Sequence, residues 1–92
     1  MEKKETYREQ QETFALALGK RVKALRSERG YSQEKVARLA EISLNGYKNI
    51  ERGTTDKGKL TNPRAFTLLA VADAFDMHLT ELLDFSNTDI AD

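Results

Sequence analysis

Two short amphipathic segments joined by a link of only a few residues constrain this chain more than any other feature. Gln33–Ala40 places Val36, Ala37, Leu39 and Ala40 on one face at helical spacing. Ser32 precedes it as a capping residue, and Glu34 puts an acid in the first turn, where the helix dipole favours negative charge. Glu41-Ile42-Ser43 follows, with Ile42 its only apolar residue and Ser43 a second cap; a third helix then runs to about Arg52, ended by Gly53. A turn that short makes the two helices cross steeply. With Val36, Ala37, Ala40, Ile42, Tyr47 and Ile50 inside, Leu44, Asn45, Lys48 and Asn49 face outward, with Gly46 beside them.

Upstream, Tyr7, Phe14, Leu18, Val22 and Leu25 recur at helical intervals and predict a helix from about Tyr7 or Thr13 to Arg29, closed by Gly30. The first dozen residues lack Gly and Pro and are rich in helix formers, so they are either a frayed tail or an extension of that helix. Downstream, Thr54 to Asn62 (TTDKGKLTN) is a loop by composition and longer than most connections. Pro63 suits the first turn of a fourth helix, with Ala65, Phe66, Leu68, Leu69, Ala72 and Phe75 as its apolar stripe. His78-Leu79-Thr80 leads into a short fifth helix around Glu81 to Asp84, with Leu82, Leu83 and Phe85 buried. No strand-like alternation or repeat is present. At 92 residues the expectation is one all-α unit, a compact five-helix domain with an N-terminal helical extension. Its expected divisions are a polar extension over 1–12, the helical domain over 13–85 and a flexible acidic tail over 86–92.

The net charge is zero but bipolar. Lys20 to Arg64 holds twelve basic and five acidic residues, a net of +7, whereas Ala65 to Asp92 holds six acids and no Lys or Arg. A basic middle with an acidic end is what a surface facing nucleic acid with a distant non-binding end would carry, although chance segregation or solubility also produces it. Catalytic and metal chemistry lack residues. There is no cysteine, His78 is the only histidine, and neither Gly53 nor Gly58 is followed by the Lys-Ser/Thr pair of a nucleotide cradle. Asp73, Asp76, Glu81 and Asp84 read as solvated helix faces, and no cofactor or small-molecule ligand is implied. The polar N-terminus, and the lack of any run near the ~20 apolar residues of a membrane span, make the cytoplasm the expected location.

The steep helix pair is the geometry of a DNA-binding helix-turn-helix. The outward side chains suit a major groove: Asn pairs bidentately with adenine, Lys donates to guanine or phosphate, and Leu meets a thymine methyl. Any amphipathic helix also has a polar face, so these types are not decisive alone. The landmarks Leu18-Gly19-Lys20-Arg21-Val22, Gly30-Tyr31-Ser32-Gln33-Glu34, Ile42-Ser43, Tyr47 and Ile50-Glu51-Arg52-Gly53 recur in order. With Asn62-Pro63 and Leu79-Thr80-Glu81-Leu82-Leu83, they make residues 14 to 85 resemble the lambda-repressor-like, Cro/XRE-type helix-turn-helix family.

The resemblance implies base contacts from Leu44, Asn45, Lys48 and Asn49, and a backbone contact from Gln33 at the start of the second helix. Ser43 corresponds to the family's cap and is counted, with Arg52, Lys57, Lys59 and Arg64, among the residues expected at the DNA backbone. Arg26 and Glu51 correspond to a pair that ties the first helix to the third, a structural role worth ~0 to 1 kcal/mol if partly exposed. Three departures stand out. Glu41 occupies a turn position where the family usually has Gly, so the turn either bends differently or is strained. Gly46 lies inside the third helix, for close backbone approach to DNA or as a tolerated defect. The loop from Thr54 to Thr61 is longer than usual, and its Lys57 and Lys59 either reach phosphates or are simply solvated.

The expected function is a non-enzymatic, sequence-specific transcription regulator, repressor-like, whose third helix (about 43–52) enters the major groove of double-stranded DNA at a palindromic operator. The partner expected beside DNA is a second copy, paired through Leu83, Phe85 and Ile90 or through the extension around Tyr7. The alternative is a protein-interaction module of the same fold, such as an antitoxin or a transcriptional bridging factor.

Overall fold

The computed structural model describes residues 5–87. Its elements are all helical: α1 (Tyr7–Glu28), α2 (Gln33–Ala40), α3 (Leu44–Arg52), α4 (Ala65–Ala74), α5 (Leu79–Leu82) and a 3₁₀ turn at Phe85–Asn87. No helix among the described residues is long and apolar enough to cross a membrane.

The start of α1 is a true helix end. The Thr6 hydroxyl accepts from the Glu9 N–H at 3.1 Å, and the Glu9 carboxylate accepts from the Thr6 N–H at 2.8 Å, so two orphan donors are satisfied reciprocally. Those bonds also hold the Glu9 carboxyl below its usual range. The polar first dozen residues, as far as they are described, therefore extend α1 by several exposed turns. Only from Ala15 onward does α1 bury a face.

Leu18, Val22 and Leu25 of α1 meet Val36, Ala37 and Ala40 of α2, Tyr47 and Ile50 of α3, Val71, Ala72 and Phe75 around α4, and Leu82 of α5 in one core. α1 packs on α3, α2 packs on both α3 and α4, and α5 closes against α4. The approach of α1 to α3 depends on Gly19, where a Cβ would lie 2.5 Å from the Glu51 carbonyl oxygen and 2.9 Å from that of Ile50. No side chain fits between these two backbones.

Several apolar expectations are corrected. Leu39, expected on the buried face of α2, is 43% exposed, because Val36, Ala37 and Ala40 already fill that face. In α4, Phe66 is 82% and Leu69 47% exposed, and Ala65 is also outside. The stripe that packs is Leu68, Val71, Ala72 and Phe75, at i, i+3, i+4 and i+7. α4 is apolar around most of its circumference, so periodicity could not choose the face. Pro63 does not lie in the first turn: Arg64 is extended (φ −70°, ψ 157°) as the N-cap, and helical backbone begins at Ala65. Leu82 is buried as expected, whereas Leu83 and Phe85 are half-buried. Within the acidic segment 86–92, residues 88–92 lie outside the described residues, and Ile90 with them.

Candidate nucleic-acid interface

The α2–α3 corner is built around one left-handed residue. Glu41 adopts φ 57°, ψ 43° at the end of α2. The Glu41 N–H donates to Arg38 O at 3.1 Å and the Ile42 N–H to Ala37 O at 3.0 Å, so the last carbonyls of α2 are satisfied. The turn thus keeps the conformation a glycine would favour and carries the side-chain strain, ~1–2 kcal/mol for a non-Gly residue. α3 then starts on Ser43, whose Oγ accepts from the Gly46 N–H at 2.9 Å. A Cβ at Gly46 would sit 3.0 Å from that same oxygen, which gives the glycine a local reason besides approach to DNA.

Tyr47 and Ile50 anchor the inner side of α3. Asn45 and Lys48 are fully outward; Leu44 is half-buried against the core, and Asn49 is half-buried with its Oδ1 accepting from the Arg52 guanidinium. The expected base-contacting set therefore divides into two free side chains and two that are partly engaged.

Beneath this surface lies a polar cluster on Glu51. Arg26 donates to its carboxylate through Nε at 2.5 Å and Nη2 at 3.2 Å, and through Nη1 to Tyr31 O at 3.0 Å. The Tyr47 hydroxyl donates to the same carboxylate, and so does Gln33 Nε2, at 3.0 Å. The Arg26 and Glu51 side chains are only 18% and 6% exposed. Burial pushes the Glu51 carboxyl up, but the bonds from Arg26, Tyr47 and Gln33 together outweigh it and hold the group below the ordinary glutamate range. Hydrogen bonding to Glu51 raises Arg26 further, and burial followed by the Glu51 contact drives the Tyr47 phenol well above its ordinary value, so it stays a donor. Arg26 and Glu51 pair as the family resemblance implies, but the pair is nearly buried and sits in a four-membered cluster with Tyr47 and Gln33. Removing one partner would strand a charge, which costs ~3–5 kcal/mol rather than the value for an exposed pair. The tie from Gln33 to Glu51 had no signal in spacing; it arises because α2's first residue and α3's last turn meet in space.

The residues expected at the DNA backbone are arranged unevenly. Ser43 is exposed but engaged as the cap of α3, and Gln33 is half-buried on the Glu51 cluster. Arg52 is braced by Thr54 O at 3.3 Å and the Asp56 carboxylate at 3.0 Å, both partners of that ion pair being exposed. Lys57 and Lys59 are exposed on a loop that closes on itself, with Thr55 N–H to Lys59 O at 2.7 Å and Thr61 N–H to Gly53 O at 3.0 Å. Arg64 is exposed at the N-cap of α4. Of the residues expected at the DNA backbone, only Arg64 lines a shallow groove of about 340 Å³, which brings Gly46 and Asn49 of α3 beside Thr55, Asn62 and Thr67.

Not every cation of the basic middle faces this surface. Arg21 donates to the Glu81 and Leu82 carbonyls at 2.8 and 3.3 Å, closing the end of α5. Arg29 donates to Phe75 O at 3.1 Å, after the end of α4, and lies 5.3 Å over the Phe75 ring. Together with Arg26 these arginines serve orphan carbonyls and the core, a role that charge counting misses.

A family model described as a helix-turn-helix domain matches residues 19–87. No curated protein matches the chain.

Proposed function

The chain belongs to the helix-turn-helix domain family, a DNA-binding fold, and on that premise we propose that it is a sequence-specific, repressor-like transcription regulator acting in the cytoplasm on a palindromic operator. α3 enters the major groove, where Asn45 and Lys48 read base edges and Leu44 and Asn49 line the contact. Gln33, Ser43, Arg52, Lys57, Lys59 and Arg64 hold the phosphates and fix the register without reading sequence. Residues 13–85 act as the DNA-binding domain and the first dozen residues as its extension. A homodimer presents two α3 helices to half-sites one helical turn apart, ~34 Å centre to centre. The observation that carries this reading is the pairing of an outward Asn45 and Lys48 with a rigid base beneath them, since Tyr47 and Glu51 lock the opposite side of α3 into the Arg26–Gln33 cluster.

Selection of bound duplexes from a random DNA pool, read by sequencing at moderate salt, tests it. An enriched inverted repeat supports the regulator. A complex with a protein that ignores salt and needs no DNA, with no enriched sequence, would replace it by an interaction module, because phosphate contacts make DNA affinity fall steeply as salt rises.

A further inference from the structure

The described surface holds an apolar-walled groove and an exposed apolar stripe. The groove, of about 690 Å³, lies between the first turns of α1 and the loop at residues 58–63, with Tyr7, Phe14, Leu60 and Pro63 as its apolar walls. Its charged walls are Arg8 and Lys59, and no carboxylate lines it. The stripe is the outer side of α4: Phe66, at 82% the most exposed large apolar side chain, with Leu69 and Asp73 at i+3 and i+7 on the same face. α4 contains Asp73 and no Lys or Arg. Apolar side chains exposed at this level beside one another mark an interaction surface rather than scattered surface residues.

We propose that this surface is a two-fold interface with a second copy of the chain, in which Phe66 of each copy seats in the α1–loop groove of the other. Pro63 walls the groove and lies three residues before Phe66 in the chain, so groove and stripe lie on adjoining stretches, which suits a self-complementary two-fold contact. Charge agrees with shape: the acid of the α4 stripe, Asp73, meets a groove whose charges are Arg8 and Lys59, of which Arg8 is the one not assigned to a DNA phosphate. The 3.4 Å bond from Arg8 to Glu12 is between two exposed groups, so it competes weakly with an incoming carboxylate. At the other expected dimer surface, Leu83 and Phe85 are half-buried against their own core, with Phe85 edge-on to Phe14 at 5.9 Å, and Ile90 lies outside the described residues. The inference supplies the contact for the homodimer proposed above and rests on that reading only for its purpose, since the interface forms without DNA.

Sedimentation equilibrium of the full chain tests it. Phe66→Arg is expected to raise the dimer dissociation constant at least about ten-fold, as loss of a central aromatic anchor does, with an unchanged far-UV circular dichroism spectrum because Phe66 is 82% exposed in its own chain. Asp73→Arg is expected to weaken the dimer, and adding Arg8→Glu to it to restore association. A Phe66→Arg protein that dimerises like the wild type overturns the proposal, as does a wild-type chain that stays monomeric, or a double variant without recovery. Anisotropy on a half-site duplex keeps the two readings apart. Half-site binding retained by Phe66→Arg while dimerisation is lost supports the interface; loss of the dimer with no DNA binding by either protein leaves the interface standing and removes the DNA reading.

Discussion

Gly19→Ala sets two effects of opposite sign against each other. In isolation the change stabilises a helix interior by about 1 kcal/mol, because alanine loses less backbone entropy. In this fold the new Cβ would lie 2.5 Å from Glu51 O and 2.9 Å from Ile50 O, where ordinary contact begins near 3.4 Å. Both obstacles are backbone atoms in α3, so no rotamer change relieves them, and α1 and α3 must part by roughly an ångström. Parting them loosens Leu18 and Val22 against Tyr47 and Ile50, all fully or nearly fully buried. Overpacking of this kind costs up to about 3 kcal/mol. The helix gain offsets about a third of that, leaving about 2 kcal/mol of destabilisation. For a domain of this size each kcal/mol moves Tm by ~4–8 °C, so the expected fall is roughly 8–16 °C in a circular dichroism melt. Ala24→Gly, on the exposed side of the same helix, is the control: it should lower stability by about 1 kcal/mol through propensity alone. A Gly19→Ala protein that melts at or above the wild-type temperature would refute the argument that backbone contact between α1 and α3 decides this position.

Other outcomes follow from the Glu51 cluster and from α3. Glu51→Ala should cost ~3–5 kcal/mol in urea unfolding by stranding Arg26 in a nearly buried site, and Tyr47→Phe ~1–3 kcal/mol by removing one donor. Because the folded Glu51 carboxyl lies below the ordinary value of 4.5, its contribution is complete above that pH and is lost as pH falls through the folded value. The urea midpoint of the wild type should therefore drop more steeply below about pH 4.5 than that of Glu51→Gln; parallel curves would contradict this. Glu41→Gly should raise stability by about 0.5–1 kcal/mol, since the left-handed backbone at φ 57° no longer carries a side chain. Lys48→Glu should weaken binding to the selected operator in an anisotropy titration while leaving Tm unchanged, and unchanged affinity would remove Lys48 from the contact surface.

The local chemistry of the α2–α3 region was legible in the chain itself. Ser32, Ser43 and Gly53 are capping and stopping residues whose preferences act within a few bonds, so the bounds of α2 and α3 follow from sequence. The outward placement of Asn45 and Lys48 follows too, because the alternation of Tyr47 and Ile50 with polar residues leaves one orientation for α3. The resemblance to the family pointed to Arg26 with Glu51, but not to Gln33 and Tyr47 joining them.

What the tertiary structure alone decided is wherever several faces or partners were locally equivalent. α4 carries apolar residues nearly all round, so only the arrival of α2 and α5 selects Leu68 and Val71 for the core and leaves Phe66 and Leu69 outside. The arginines of the basic middle look alike in a charge count, yet Arg21 and Arg29 end on carbonyls some sixty and forty-six residues away. Gly19 reads as a mild helix defect until α3 arrives beside it. Caps and periodicity are short-range and thus written in neighbouring residues, whereas the choice of buried face, salt-bridge partner and permitted side-chain size depends on which elements meet, and that is settled only when the chain closes on itself.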